Sequence, residues 1–293
     1  MKRALLLKLM GSSEKEIKII RAGYTGDTAT LDKLKDSLHI SSYCMGTAAA
    51  GNKELVLQCL DKGASPGWGL KGAAMGGQME IVQLLLDKGA GPDFGLSGAA
   101  MGGHMDIVQL MLDKGALPAA GLYNAAEGGH MDIVRLLLDK GGDPNDGLWG
   151  AAYGGHMDIV QLMLSKGATD YYLGLWGAAD GGHMDIVKLL LEKGADPNTG
   201  LCCAVRGGQM DMVELLLAQP GIDVNREDED GYTPLYYAEE NGHTECADLL
   251  RAAGAELQLT DYNEGLIEAA EGGYIDIVQL IRVGIIRNHA TRV

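Results

Sequence analysis

Residues 95–116 read GLSGAAMGGHMDIVQLMLDKGA, and closely similar segments occur on both sides of this stretch. Near-identical copies begin at residues 69, 121, 147, 174 and 200. The glycine before the glutamine or histidine recurs at residues 77, 103, 129, 155, 182 and 208, which gives a period of 26 or 27 residues. Weaker copies of this glycine at residues 26, 51, 242 and 273 extend the pattern to ten units. A self-similarity of this period predicts a repeat architecture.

Each unit predicts two helices. In residues 95–116, Asp106 lies near the start of the second helix, apolar residues follow, and Lys114 precedes Gly115. An acid near the positive end of a helix, a base near the negative end and a glycine just past it are the usual start and stop signals. One such pair cannot bury its apolar side alone, so we expect stacked pairs to share one long, thin core. The predicted fold class is an all-α solenoid of about ten helix-turn-helix units.

The array is predicted over residues 14–285, with a capping helix in residues 1–13 and a tail in residues 286–293. The chain begins like a signal peptide, but Lys8 interrupts the apolar stretch and no small-residue cleavage site follows. No apolar run reaches the roughly 18 residues needed to cross a bilayer. Five cysteines without a C-x-x-C motif favour free thiols in a reducing compartment. We therefore expect a cytoplasmic protein that does not insert into a membrane.

The charge of the chain is strongly acidic. Lys and Arg number 24 and Asp and Glu number 40, for a formal net charge of −16. This balance argues against binding to the phosphate backbone of nucleic acids. An acidic run at residues 227–230 is either a solvated loop or a contact for a basic partner, and the sequence leaves both readings open.

The ninth unit carries the pattern of a known family. It contains GIDVN at residues 221–225, DGYTPL at residues 230–235 and NGH at residues 241–243. These residues resemble the ankyrin repeat family. Thr233 is placed to cap the following helix, and Pro234 takes its first position, where the missing N–H costs nothing.

The other units depart from the ankyrin pattern in their connectors. Glycine stands where the family has this proline, and each unit is about seven residues shorter than the family's period of about 33. In ankyrin proteins the missing segment forms a β-hairpin finger. Most fingers are therefore predicted to be truncated, and only residues 221–233 and 254–264 are long enough to form one.

The resemblance implies a monomeric protein-protein interaction module that binds its partner through a concave groove. It implies no enzyme activity and no cofactor. The short connectors are similar to those of ankyrin arrays from intracellular bacteria and large viruses that infect amoebae. This similarity implies an effector that acts in the host cytosol on a host protein. Acidic residues among the candidate binding residues given below favour a basic segment of that partner.

The recurring histidines suggest a metal site at first sight, because each has Asp two residues later. They are His104, His130, His156 and His183. Stacked units place equivalent residues about 8–10 Å apart, which is too far for two imidazoles to share one ion. We expect these histidines to bond backbone at the helix-helix corner, and we predict no metal site. Only His39 and His289 lie outside the repeat register, so no catalytic residues are predicted either.

Candidate binding residues lie where near-identical units differ, because the scaffold does not dictate them. The first of two ladders on the first helix reads Lys71, Ser97, Tyr123, Trp149, Trp176, Cys202. The second, four residues later, reads Met75, Met101, Glu127, Tyr153, Asp180, Arg206. Residues four apart share a helix face, so each pair forms one rung.

From these rungs we predict a partner-binding surface. Its residues are Tyr123, Glu127, Trp149, Tyr153, Trp176, Asp180 and Arg206, with Trp68 and Phe94 of the connectors. Two alternatives remain open. In one, Trp149 and Trp176 only pack between repeats, over Gly150 and Gly177. In the other, these tryptophans and Tyr153 form an aromatic cage for a methylated or otherwise cationic peptide, beside acidic rung residues.

Overall fold

Helices follow one another in pairs along the residues that the structure describes, 14–228 and 230–256. The structure is a computed structural model. Every regular element in these two ranges is a helix. The predicted all-α repeat class is thereby confirmed. The predicted capping helix in residues 1–13, the tenth unit and the tail in residues 286–293 lie outside the described residues.

The chain divides into two compact units, residues 1–170 and residues 171–293. The described part of the first unit contains six helix pairs. They are α1 Glu14–Thr25 and α2 Thr28–Lys33, α3 Ser37–Ala49 and α4 Lys53–Asp61, α5 Pro66–Met75 and α6 Met79–Asp87, α7 Pro92–Gly102 and α8 Met105–Asp113, α9 Ala119–Glu127 and α10 Met131–Asp139, and α11 Pro144–Gly154 and α12 Met157–Ser165.

The described part of the second unit contains three helix pairs. They are α13 Tyr171–Gly181 and α14 Met184–Glu192, α15 Asn198–Arg206 and α16 Met210–Leu217, and α17 Pro234–Glu240 and α18 Thr244–Ala252. Within this unit α13 packs on α15, and α15 packs on α17. The first helices therefore stack side by side, with each second helix packed on its own first helix.

The helix ends follow the chemistry expected from the repeat. Helix α7 begins with Pro92 and is capped by Gly103, whose φ of 76° is a left-handed conformation that side chains with a Cβ rarely adopt. Helix α8 has Asp106 in its first turn, and Gly115, with a φ of 89°, follows its end. The start and stop signals read from residues 95–116 are thus confirmed.

The core is a thin layer of small and aliphatic side chains. In the α7 and α8 pair the fully buried residues are Leu96, Ala99, Ala100, Ile107, Val108 and Met111. A Cβ added at Gly98 would lie 2.1 Å from the carbonyl oxygen of Lys71 in α5. Glycine is required there because the two helix backbones touch, and this spacing leaves little room for large rings.

The ninth unit keeps its predicted cap but not a hairpin. The backbone N–H of Tyr236 donates to Thr233 Oγ1 at 3.2 Å, and Pro234 opens α17, as predicted. The described residues of 221–233 contain no strand. Asp228 Oδ1 instead accepts from the N–H groups of Asp230 and Tyr232 at 3.0 and 3.1 Å. Asp228 and Tyr232 close a turn here, with the backbone N–H of Asp228 donating to the carbonyl oxygen of Tyr232 at 3.0 Å. Most of residues 254–264 lies outside the described residues.

Candidate partner-binding surface

The two ladders lie on the first helices of successive pairs, and we call the residues of these two ladders the ladder surface. In the first unit, α5 packs on α7, α7 on α9 and α9 on α11. Helical geometry puts residues four apart on one face, so each first helix contributes one rung.

Two aromatic rings of the first unit contact each other across neighbouring rungs. The ring centroids of Tyr123 in α9 and Trp149 in α11 lie 4.7 Å apart, with an angle of 56° between the ring planes. Both side chains are partly exposed. A Cβ at Gly150 would meet the carbonyl oxygen of Tyr123 at 2.2 Å, so backbone fills the space beside that glycine. One side of the Trp149 ring therefore packs on the Tyr123 ring of the preceding repeat.

Glu127 is the acidic member of the same rung as Tyr123, and it is only 4% exposed. Burial lowers the pKa of Lys71 in α5, and the negative charge of Glu127 opposes part of that shift. The carboxylate thus lies in the field of a cation of its own chain, two pairs away. Tyr153, four residues after Trp149 on α11, is partly exposed.

In the second unit, the predicted residues are Trp176 and Asp180 on α13 and Arg206 on α15. Trp176 is partly exposed. Arg206 Nη2 lies 3.4 Å from Asp180 Oδ1. The guanidinium carbon of Arg206 also lies 5.8 Å from the ring centroid of Tyr237 in α17, which is within cation-π range. Arg206 therefore joins the rung of α13 to an aromatic side chain of the ninth repeat.

The ladders continue into the ninth repeat, which the sequence analysis missed. Tyr236 and Glu240 occupy the two ladder positions on α17, and the Tyr236 hydroxyl donates to Glu240 Oε1 at 3.3 Å. The ring of Tyr232 stacks on Tyr236 with centroids 4.4 Å apart. The register of Gly242 could have revealed this rung, because the two ladder positions lie six and two residues before that glycine.

The two connector residues of the first unit differ in their surroundings. Trp68 is partly buried and packs against Ile20 and Met45. Phe94 is 46% exposed, and its ring lies 3.0 Å from the place where a Cβ of Gly67 would stand. Trp68 therefore packs partly against the core, whereas Phe94 adds an exposed ring to the connector edge.

A family model described as ankyrin repeats, three copies, matches the chain in overlapping segments. They are residues 70–147, 96–173, 122–199, 175–261 and 202–288. Together these segments extend from residue 70 to residue 288, which is more than half of the chain. The chain belongs to the ankyrin repeat family. Ankyrin repeats are generally protein-protein interaction modules.

Curated relatives share only a short part of this ankyrin array. Cortactin-binding protein 2 of Rhinolophus ferrumequinum is 45% identical over 47 residues, and so is that of Equus caballus. The Mus musculus protein of that name is likewise 45% identical over 47 residues. The matched part covers 16% of this chain and 3% of each relative. The similarity is therefore limited to a short repeat segment and does not extend to the rest of these much longer proteins.

The corner histidines of the ankyrin repeats bond backbone, as predicted. The Nε2 atoms of His104, His130 and His243 lie 3.2, 3.0 and 3.1 Å from the carbonyl oxygens of Met75, Met101 and Arg206. Each carbonyl closes the first helix of the preceding repeat. The histidines therefore link neighbouring repeats, which the sequence analysis had not specified.

The described residues of these repeats contain no metal cluster, and their cysteines lie in the core. No group of three or more His, Cys, Asp or Glu side chains there is arranged to hold a metal ion. All five cysteines are buried. Burial raises the pKa of Cys202 and of Cys203 to about 12, which keeps both thiols protonated near neutral pH. Among the same described residues, no helix has the length and apolarity that crossing a bilayer requires.

Proposed function

We propose that this ankyrin array binds a partner protein through its ladder surface. The observation that carries the proposal is the contact between Tyr123 and Trp149. Sister repeats place Lys71 and Ser97 at the same ladder position, so the scaffold does not require rings there. Partly exposed aromatic side chains on a rigid helical framework are the residues that most often dominate protein interfaces.

Charge supports a basic segment as the part of the partner that is bound. The chain carries a formal net charge of −16. A partner segment of opposite charge would be steered toward this protein, so salt should slow its association. We propose that two ladder residues contact such a segment: Tyr153 in the first unit and Asp180 in the second.

The short connectors remain the basis for a more specific proposal. We propose that the array is an effector acting on a host protein in the host cytosol, because its connectors resemble those of arrays from amoeba-associated bacteria and viruses. The aromatic cage of Trp149, Tyr153 and Trp176 for a methylated or otherwise cationic peptide stays the alternative prediction.

Affinity capture tests the proposed function. The wild-type protein and a Trp149→Ala and Trp176→Ala double variant are immobilised and incubated with eukaryotic cytosol. Leu57→Ala is the control, because Leu57 is 37% exposed on a second helix, away from the ladders. A protein retained by the wild type and by the control, but not by the double variant, supports the proposal. Equal retention by all three places the binding site elsewhere.

A further inference from the structure

The rung of the ninth repeat differs from the other two aromatic-and-acid rungs in the exposure of its carboxylate. Glu127 is 4% exposed. Asp180 pairs with Arg206 at 3.4 Å. Glu240 is exposed at the end of α17 and accepts a hydrogen bond from its own rung partner, Tyr236. Of these three carboxylates, Glu240 is therefore the one most open to a cation from outside the chain.

The tyrosines beside Glu240 form a small aromatic cluster, which we call the tyrosine cluster: Tyr232, Tyr236 and Tyr237. The rings of Tyr232 and Tyr236 are nearly parallel, with 16° between their planes. Tyr237 meets both rings edge-on, at centroid distances of 6.0 and 5.6 Å. Tyr237 is buried, whereas the stacked pair is partly exposed.

The turn before α17 holds this cluster in place. The Tyr237 hydroxyl donates to Asp228 Oδ2 at 2.7 Å. The other oxygen of the same carboxylate accepts from the backbone N–H of Tyr232 at 3.1 Å. One carboxylate thus bonds both the hydroxyl of Tyr237 and the backbone of Tyr232, which ties the turn to the cluster.

The cluster already receives one guanidinium from within the chain. Arg206 lies 5.8 Å from the centroid of Tyr237, on the ring that is buried. A ring face attracts cations because its quadrupole is negative there, and an adjacent carboxylate strengthens that attraction. The charge of the surrounding segment also favours a cation, since Asp and Glu outnumber Lys and Arg ten to two in residues 221–256.

We infer that Tyr232, Tyr236 and Glu240 form a contact for an arginine or lysine side chain of a basic protein segment. The stacked rings supply a cation-π face, and the carboxylate of Glu240 supplies a charged acceptor beside it. The inference rests on the proposed function, because it assumes that the array binds a protein. It adds a second contact site, in the ninth repeat, and the chemistry of the group bound there.

A peptide titration followed by NMR tests the inference on the full chain. One synthetic peptide alternates arginine with glycine, and its control replaces each arginine with neutral citrulline. We expect saturable shifts of the ring signals of Tyr232 and Tyr236 with the arginine peptide, and binding of the citrulline peptide that is at least about fivefold weaker. Equal binding of the two peptides would overturn the inference.

Substitutions locate the contact. Tyr236→Leu removes the ring and Glu240→Gln removes the charge, and each should weaken binding of the arginine peptide by about fivefold. Tyr236→Phe keeps the ring, so binding should stay within about twofold of wild type even if the leucine variant is unstable. Tyr172→Leu and Glu245→Gln are the matched controls, because both residues are exposed in the same unit but lie outside the cluster.

The controls also separate this inference from a general attraction to acidic surface. If Tyr172→Leu or Glu245→Gln weakens binding as much as the cluster variants, the peptide is binding diffusely and the inference is wrong. Failure of the peptide test leaves the capture experiment with the tryptophan variants unaffected. The two proposals can therefore fail independently.

Discussion

The Nε2 atom of His156 lies 3.0 Å from the backbone carbonyl oxygen of Glu127, the last residue of the first helix in the preceding repeat. His130 and His104 make the same contact one and two repeats earlier, respectively. The imidazole spans the gap between repeats, and it donates its Nε2–H to a carbonyl that helix α9 itself leaves unsatisfied. The histidine in the GGH motif is therefore a link between repeats.

His156→Ala should destabilise the protein by about 1 kcal/mol, the net value of one hydrogen bond in a partly exposed setting. The measurement is the free energy of unfolding in urea. His104→Ala should cost a similar amount, because its bond to the preceding repeat has the same form. A loss above about 3 kcal/mol for either variant would mean that the imidazole does more than make one bond.

Gly154→Val should be considerably more damaging than His156→Ala. A Cβ at residue 154 would lie 2.3 Å from the carbonyl oxygen of Glu127, and a backbone atom cannot move aside as a side chain can. We expect a loss of about 3 kcal/mol or more, measured by urea unfolding. The neighbouring Gly155, with a φ of 77°, is the left-handed residue of this corner.

Serine gives the matched comparison for the glycine at this corner. In Gly154→Ser the added Cβ approaches the carbonyl oxygen of Glu127 as closely as in the valine variant. Gly91→Ser adds its Cβ where the nearest atom, on the Phe94 ring, is 3.9 Å away, and serine is a good residue at the start of a helix. If both serine variants are equally stable, close approach of backbones is not the reason for glycine at residue 154.

Local chemistry explains what the sequence could predict. Thr233, Pro234 and the glycine after each helix act within a few residues of their own position, so one copy of the motif suffices to assign their roles. That the corner histidines bond backbone was also predicted. The carbonyl acceptor was not, because it belongs to another repeat and depends on how the pairs stack.

Longer-range packing explains what the sequence could not predict. Glu127 was expected at the surface, but it is buried, and its charge acts on the pKa of Lys71 two pairs away. The turn at Asp228 depends on one carboxylate that bonds two amides and a hydroxyl. Neither arrangement follows from the spacing of residues along the chain.

The adjacent thiols of Cys202 and Cys203 should resist labelling at mildly alkaline pH. Burial raises the pKa of each from 9.0 to about 12. At a pH at which an exposed cysteine is already ionised, these two thiols therefore remain mostly protonated. In a variant with the other cysteines replaced by alanine, the rate of reaction with a disulfide reagent should keep rising above pH 9. A plateau near pH 9 in the folded protein would contradict the burial of this pair.

The same shifts predict the direction of a pH effect on stability. The pKa values of Cys202 and Cys203 are higher in the folded than in the unfolded chain. Their contribution to stability is therefore fully present below pH 9 and is lost as the pH rises from 9 toward 12. Replacing both with alanine should flatten this alkaline loss. Urea unfolding at several alkaline pH values, compared with the parent, measures the difference.

Asp228→Ala should lower the pKa of Tyr237. Burial raises this pKa, and the hydrogen bond from the Tyr237 hydroxyl to Asp228 raises it further. The neutral phenol donates that bond, so its stabilising effect is present below pH 10 and is lost as the pH rises through the folded-state value. Ultraviolet titration of tyrosinate, with Tyr237→Phe identifying the relevant signal, measures the shift. An unchanged titration in Asp228→Ala would show that the bond is unimportant.

Tyr153→Ala and Asp180→Lys should each weaken partner binding if the ladder surface is the interface. Truncating a large ring at an interface typically costs on the order of 2 kcal/mol, so Tyr153→Ala should weaken binding by roughly thirtyfold. Asp180→Lys reverses a charge beside Arg206, and for a basic partner it should mainly slow association, with the larger effect at low salt. Each variant is first compared with wild type for melting temperature, because Asp180→Lys also removes an ion pair of the fold.

Leu57→Ala should bind as wild type does. If both ladder variants are folded and bind the captured partner with wild-type affinity, the partner does not use these rungs, and the tyrosine cluster of the ninth repeat becomes the primary site to test.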